Sequence, residues 1–155
     1  MNFFKKTKKP FWRFQGNELS YLEEVLKEGF RAGADGSFTT RLEKLFSDTY
    51  KVKYAIAANS GTTTLHSALL AFGCQEGDEV LTPALTPLMC GLAPHYTRAT
   101  PVFVDSKEDT FLMDPEDIEQ KITPKTKAII ATHMYGGVCD MEKIMKIAKK
   151  HNIYV

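Results

Sequence analysis

Apolar positions follow two different rhythms along the chain, and the change falls near residue 53. From Glu18 to about Glu28, Leu19, Leu22, Val25 and Leu26 recur at helical spacing, with Asn17 placed to cap the start and Gly29 to end the helix. The glycine-bearing stretch from Phe30 to Ser37 reads as a loop, after which Phe38, Leu42, Leu45, Phe46 and Tyr50 mark a second helix. The first helix is expected to be laid with its apolar face on another element, and the stripe of the second to lie in a core. From Lys53 onward, short apolar runs alternate with helical patterns, the signature of a parallel sheet with crossover helices. Strands are expected at 53–58, 79–83, 101–104, 128–133 and 153–155, with helices at about 62–72, 86–96, 115–122 and 141–150. Asp114 before Pro115, with Asp117 following, and Asp140 before Met141 signal two of the helix starts. The fold class is therefore α/β, with N-terminal helices followed by a mostly parallel sheet. No repeat, low-complexity segment or linker interrupts it.

Composition narrows the function classes. The 155 residues are 43% hydrophobic and 25% charged with a formal net charge of +1, as expected of a globular domain with a real core. A nearly neutral chain lacks the basic stripe of a general nucleic-acid binder, and Lys5, Lys6, Lys8 and Lys9 read as a solvated tail. No apolar run has the length of a membrane span, and residues 1–10 lack the hydrophobic middle of a signal peptide, so neither nucleic acid nor membrane is an expected partner and the cytoplasm is the expected compartment. Cys74, Cys90 and Cys139 are odd in number and form no Cys-x-x-Cys pair, which argues against a disulfide framework or a zinc site and for buried free thiols. His66, His95 and His151 each fall in helical patterns, where packing or a solvated face explains them.

The stretch with the most chemistry runs from Ala55 to His66, where an apolar run meets Asn59, Ser60 and Gly61 and enters a helical pattern. Gly61 would let backbone approach a ligand closely, and the amides of Thr62 and Thr63 belong to a first turn that has no intrahelical acceptors. The positive end of the helix dipole and the hydroxyls of Ser60, Thr62 and Thr63 add to a site suited to a phosphate. An ordinary Ser/Thr N-cap accounts for the same residues. No Gly-x-Gly-x-x-Gly, P-loop or Gly-x-Ser-x-Gly motif is present. In an open α/β sheet, ligands sit beyond the carboxyl ends of the strands, here the loops 59–63, 83–87, 105–109 and 133–139. The first two would meet under a planar cofactor that rests over the second with its phosphate in the first.

The runs Asn59-Ser60-Gly61-Thr62-Thr63-Thr64-Leu65, Gly77-Asp78-Glu79-Val80, Pro83-Ala84-Leu85-Thr86, Pro101-Val102-Phe103-Val104-Asp105, the segment from Ile122 to Ile130, His133-Met134-Tyr135-Gly136 and Cys139-Asp140-Met141 occur in an order that resembles the DegT/DnrJ family of sugar aminotransferases. The resemblance runs from about Leu19 to Val155. It implies the large domain of a fold type I pyridoxal 5'-phosphate enzyme, active as a homodimer at full length, that passes an amino group from an amino-acid donor to a keto group on a nucleotide-linked sugar. Such chemistry belongs to amino-sugar or cell-surface polysaccharide biosynthesis. By the resemblance Gly61, Thr62 and Thr63 hold the cofactor phosphate, and Thr86 and Pro87 lie where the family puts an aromatic ring against the pyridine face.

Two departures qualify what is implied. Pro87 offers apolar cover but no π-face, and it also reads as the N1 proline of its helix. The Schiff-base lysine and the acidic partner of the pyridine nitrogen would lie beyond Val155, so no catalytic residue is expected within these residues and this chain by itself is not expected to transaminate. His133 and Tyr135 fall near the site without an assigned role, and the loop 31–38 is the stretch available for substrate contacts. The expected organisation is an N-terminal two-helix segment over 1–52 and, over 53–155, the N-terminal part of the cofactor-binding large domain, incomplete at its C-terminus. The resemblance also implies that the strand at 53–58 has its sheet neighbours outside these residues. A dehydratase of the same family and a non-catalytic nucleotide-sugar or phosphate-binding protein are the alternative readings.

Overall fold

The computed structural model describes residues 16–29 and 36–155. The aromatic stretch 11–15, the lysine-rich start and most of the loop 31–38 lie outside the described residues.

Residues 1–57 and 58–155 form two compact units. The first carries α1 (Glu18–Lys27) and α2 (Ser37–Tyr50). Asn17 occupies the N-cap of α1, but its side chain caps no amide; its carbonyl accepts the first intrahelical bond, from the Tyr21 amide at 3.0 Å, and another from the Ser20 hydroxyl at 2.8 Å. Gly29 ends the helix at φ +73°, in the left-handed region that glycine enters without a Cβ penalty. Arg41 pairs with Glu24 at 2.9 Å and Tyr21 meets Phe38 edge to face at 5.6 Å, so the two helices are joined through polar and aromatic side chains. The apolar stripes are not buried: Leu22 and Leu26 are each 60% exposed and Leu45 is 65% exposed. Periodicity marks the face a helix can bury, not the presence of something to bury it against.

Residues 53–58, expected as a strand, join no ladder among the described residues; the Ala57 amide donates instead to Glu43 Oε1 at 2.8 Å. A strand exists only through a neighbour, and none pairs with this run among the described residues.

The second unit is the α/β body: α3 (Gly61–Ala71), β1 (Glu79–Pro83), α4 (Leu88–Tyr96), β2 (Thr100–Val104), α5 (Pro115–Lys121), β3 (Thr126–Ile129) and α6 (Met141–His151). The three strands are parallel in the order β2-β1-β3, with Leu81 opposite both Val102 and Ile129. β1 matches its expected bounds. β3 is displaced to an earlier start than 128, although the Ile130 amide still donates to the Leu81 carbonyl at 2.8 Å. The run 153–155 contributes a single parallel bridge, Tyr154 to Ala128, rather than a strand.

Alternation along β1 explains why both faces carry helices. Leu81 is fully buried in one cluster with Val104, Ile118, Ile129, Ile144 and Ala148, whereas Val80 is fully buried in another with Leu69, Ala93, Ala99, Ala128 and Ile130. The first cluster takes its helical members from α5 and α6, the second from α3 and α4. Full burial of a Val or Leu side chain stabilises by about 1.5–3 kcal/mol, so these two clusters hold the unit together. All three cysteines are free and buried. Burial, with a further push from the Asp78 carboxylate and against a pull from Lys127, raises the Cys74 thiol above its ordinary value and keeps it in the unreactive protonated form.

Candidate functional site

The sheet fixes where the helix ends point. α3 ends against Phe72, whose ring stacks on Tyr154 at 4.3 Å, and the chain then turns through Gly73 and Gly77 into the amino end of β1. Its eleven residues, about 16 Å long, therefore carry Gly61 back toward the carboxyl ends of the strands. α4 begins just past the carboxyl end of β1, so the first turns of α3 and α4 face the same end of the sheet.

At the start of α3, Ser60 is the N-cap in extended conformation, and its Oγ accepts from the Thr63 amide at 3.2 Å. Thr63 Oγ1 lies 3.0 Å from Ser60 Oγ and donates to Asn59 Oδ1 at 2.8 Å, while the Thr64 amide donates to the Ser60 carbonyl at 3.2 Å. The amides of Gly61 and Thr62 and the Thr62 hydroxyl have no acceptor among the described residues. The N-cap reading of Ser60 is thus correct, and the cap leaves two amide donors open at a positive helix end.

Gly61 answers a different question. A Cβ built there would meet nothing within 4 Å, and its backbone is not left-handed, so neither crowding nor conformation within the chain demands a glycine. The open space lies where something from outside would approach the backbone. The first turn of α3 also holds no acid, in contrast to Glu116 and Asp117 in α5 and Glu142 in α6. A donor pair, a helix dipole without a carboxylate on it and room at the backbone together fit a phosphate.

Thr86 and Pro87 form the connection between β1 and α4. Pro87 is the N-cap at ψ 137°, so Leu88 rather than Pro87 takes the first helical position, which corrects the N1 reading. An extended ψ cannot belong to a helix's first residue. The Pro87 carbonyl accepts from the Cys90 amide at 2.9 Å, and the Thr86 hydroxyl donates to Thr132 Oγ1 at 3.1 Å. The sequence reading missed Thr132, which is far from Thr86 along the chain; its one signal is a hydroxyl at the end of the apolar run Ile129-Ile130-Ala131.

Beyond β3, His133 Nδ1 accepts from the Cys139 amide at 3.2 Å, which assigns the ring proton of the neutral form to Nε2. Tyr135 and Gly136 both have positive φ, and the Gly137 amide closes the turn on the Met134 carbonyl at 2.8 Å. Gly137 sits closely against its neighbours, since a Cβ there would come to 3.2 Å from both Leu112 Cδ1 and the Met134 carbonyl oxygen. Tyr135 is left 79% exposed at the same end of the sheet.

Comparison with known proteins places this geometry in context. The model of the DegT/DnrJ/EryC1/StrS aminotransferase family matches residues 13–155. GDP-perosamine synthase of Escherichia coli O157:H7 is 46% identical over 140 residues, which are 90% of this chain and 38% of that enzyme. The solved aminotransferase of Psychrobacter cryohalolentis is 37% identical with a TM-score of 0.85, covering 92% of this chain and 36% of the other. NtdA of Bacillus subtilis, solved with bound cofactor PMP, is also 37% identical, with a TM-score of 0.81 over 87% of this chain and 31% of its own. The chain spans less than two fifths of the length of the curated relatives it matches.

Proposed function

The chain belongs to the DegT/DnrJ/EryC1/StrS aminotransferase family, and we propose from that premise that it is the phosphate-holding part of a pyridoxal-phosphate-dependent sugar aminotransferase. Its fold is that of the α/β large domain of fold type I enzymes. The reaction is transfer of an amino group from an amino acid, such as glutamate, to a keto group on a nucleotide-linked sugar. The relative that makes GDP-perosamine supports a GDP-linked sugar, and the relative solved with PMP supports the cofactor. A homodimer in the cytoplasm is the assembly and compartment that go with this reading.

The observation that carries the reading is the start of α3. The open amides of Gly61 and Thr62 and the Thr62 hydroxyl would donate to phosphate oxygens, and the missing Cβ of Gly61 lets those oxygens reach the backbone. Thr63 shapes the turn, through its amide to Ser60 and its hydroxyl to Asn59. Thr86 and Pro87 would lie against the ring, with Pro87 giving apolar cover where an aromatic side chain would give offset stacking. When bound, the cofactor supplies an electron-withdrawing ring for the amino transfer. The residues described here bind and orient it.

Titration calorimetry tests this directly with pyridoxal phosphate, inorganic phosphate and pyridoxal. The expected result is that pyridoxal phosphate and phosphate both bind and that pyridoxal binds at least ~100-fold more weakly than its phosphate ester, the contribution of about two charge-assisted hydrogen bonds. Equal binding of pyridoxal, or no binding of either phosphate compound, overturns the reading.

A further inference from the structure

The turn from Ala84 to Pro87 is short of ties. Its near end is fixed by the Ala84 amide on the Val104 carbonyl at 2.8 Å and its far end by the Cys90 amide on the Pro87 carbonyl at 2.9 Å. Between them Pro87 has no N–H to give, and Leu85 is partly exposed at 38%. The middle of the turn is held by the Thr86 hydroxyl, which donates to Thr132 Oγ1 at 3.1 Å.

Thr132 is itself well anchored. It follows β3, whose Ile130 amide is bound to the Leu81 carbonyl of β1 at 2.8 Å; its own carbonyl accepts from Cys139 Sγ at 3.2 Å; and its Oγ1 lies 3.5 Å from Cys90 Sγ in α4. One hydroxyl thus meets the β1–α4 turn and the first turn of α4 while its backbone is fastened to the sheet and to the loop before α6. A freely rotating Thr86 would have three χ1 wells to populate, and this bond selects one.

The geometry points to Thr132 as a positioning residue that holds Thr86, and with it the turn ending in Pro87, in the orientation that meets the cofactor ring. The inference rests on the cofactor reading given above. It assigns Thr132 no contact with the ligand and no share in the phosphate site, which is built separately at Ser60–Thr63.

Thr132→Val removes the hydroxyl at nearly constant shape and leaves the carbonyl that Cys139 binds, whereas Thr132→Ser keeps the hydroxyl. In calorimetry on the whole chain, Thr132→Val is expected to weaken pyridoxal phosphate by about 5- to 10-fold, the net worth of one ordering hydrogen bond. Inorganic phosphate should bind all three proteins alike, and Thr132→Ser should recover most of the loss. In the ligand-free chain the amide resonances of Thr86 and Leu88 should shift in the valine variant and far less in the serine variant. Equal affinity of wild type and Thr132→Val for pyridoxal phosphate overturns the inference while leaving the cofactor reading intact. A parallel loss of phosphate and pyridoxal phosphate without rescue by serine overturns it in favour of a general folding defect. Absence of pyridoxal phosphate binding by the wild type overturns the cofactor reading and this inference with it.

Discussion

At the amino end of α6, the Asp140 carboxylate accepts the Lys143 amide at 3.1 Å and Glu142 adds a second negative charge, whereas at the amino end of α3 the neutral Ser60 hydroxyl accepts the Thr63 amide at 3.2 Å and the first turn holds no acid. Both arrangements satisfy an orphan donor, and Ser and Asp are about equally good N-caps. They differ in what is left over. Each helix start carries roughly half a positive charge. Carboxylates neutralise it at α6, and at α3 it stays open beside unpaired amides and an uncrowded Gly61. Capping alone would not distinguish the two ends; the absence of charge at one of them is what an anion would use.

The comparison breaks most sharply if α3 is given the start that α6 has. Ser60→Asp keeps a good cap, so thermal stability should hold, while a carboxylate placed against phosphate should reduce pyridoxal phosphate affinity by at least ~30-fold, about 2 kcal/mol of repulsion in a partly hydrated site. Calorimetry and a melting curve read the two effects separately, and unchanged affinity would leave Ser60 as a cap and nothing more. Next in size is Gly61→Ala. A Cβ there meets nothing within 4 Å, so the variant should fold with stability unchanged or raised by up to ~0.5 kcal/mol. Its affinity for pyridoxal phosphate should fall about tenfold through lost approach, roughly 1.4 kcal/mol.

At α6 the expectations reverse. Asp140→Ala should lower Tm through loss of the cap, with Asp140→Asn keeping most of it, and should leave pyridoxal phosphate affinity unchanged. The smallest effect is in pH dependence. The hydrogen bond from the Lys143 amide, aided by the Lys143 ammonium against slight desolvation, holds the Asp140 carboxyl below the usual carboxylate range. A depressed folded value means that the cap's contribution is present above the unfolded value of about 4 and is lost as pH falls through the lower folded value. The urea midpoint should therefore decline below about pH 4, and Asp140→Asn, which caps without titrating, should show a shallower decline.

The charge difference at these two helix starts was readable from sequence, because N-caps and first-turn acids are local. So were β1 and, to within a residue at each end, α3, α5 and α6, where turn chemistry and hydrophobic period agree, whereas α4 starts at Leu88, after the Thr86 and Pro87 that the pattern assigns to it. Legibility failed where a feature depends on a distant partner. Residues 53–58 have the composition of a strand but pair with no other strand among the described residues. The Leu22, Leu26 and Leu45 stripes have the period of core helices yet remain exposed. Thr132 meets Thr86 only because β3 and β1 lie side by side, a neighbour relation that no local pattern encodes. Pro87 shows a subtler limit: its fixed φ suits both the N-cap and the first helical position, and ψ, which sequence does not set, decided for the cap.

Amide resonances of the isotope-labelled chain, followed while pyridoxal phosphate is added, test the central claim most directly. If the first turn of α3 holds the phosphate, the amides of Gly61, Thr62 and Thr63 shift in a saturable way while those of Glu116 and Lys143, at the acid-bearing helix starts, stay in place. Saturation with the α3 amides unmoved, or shifts spread equally over the three helix starts, would contradict it.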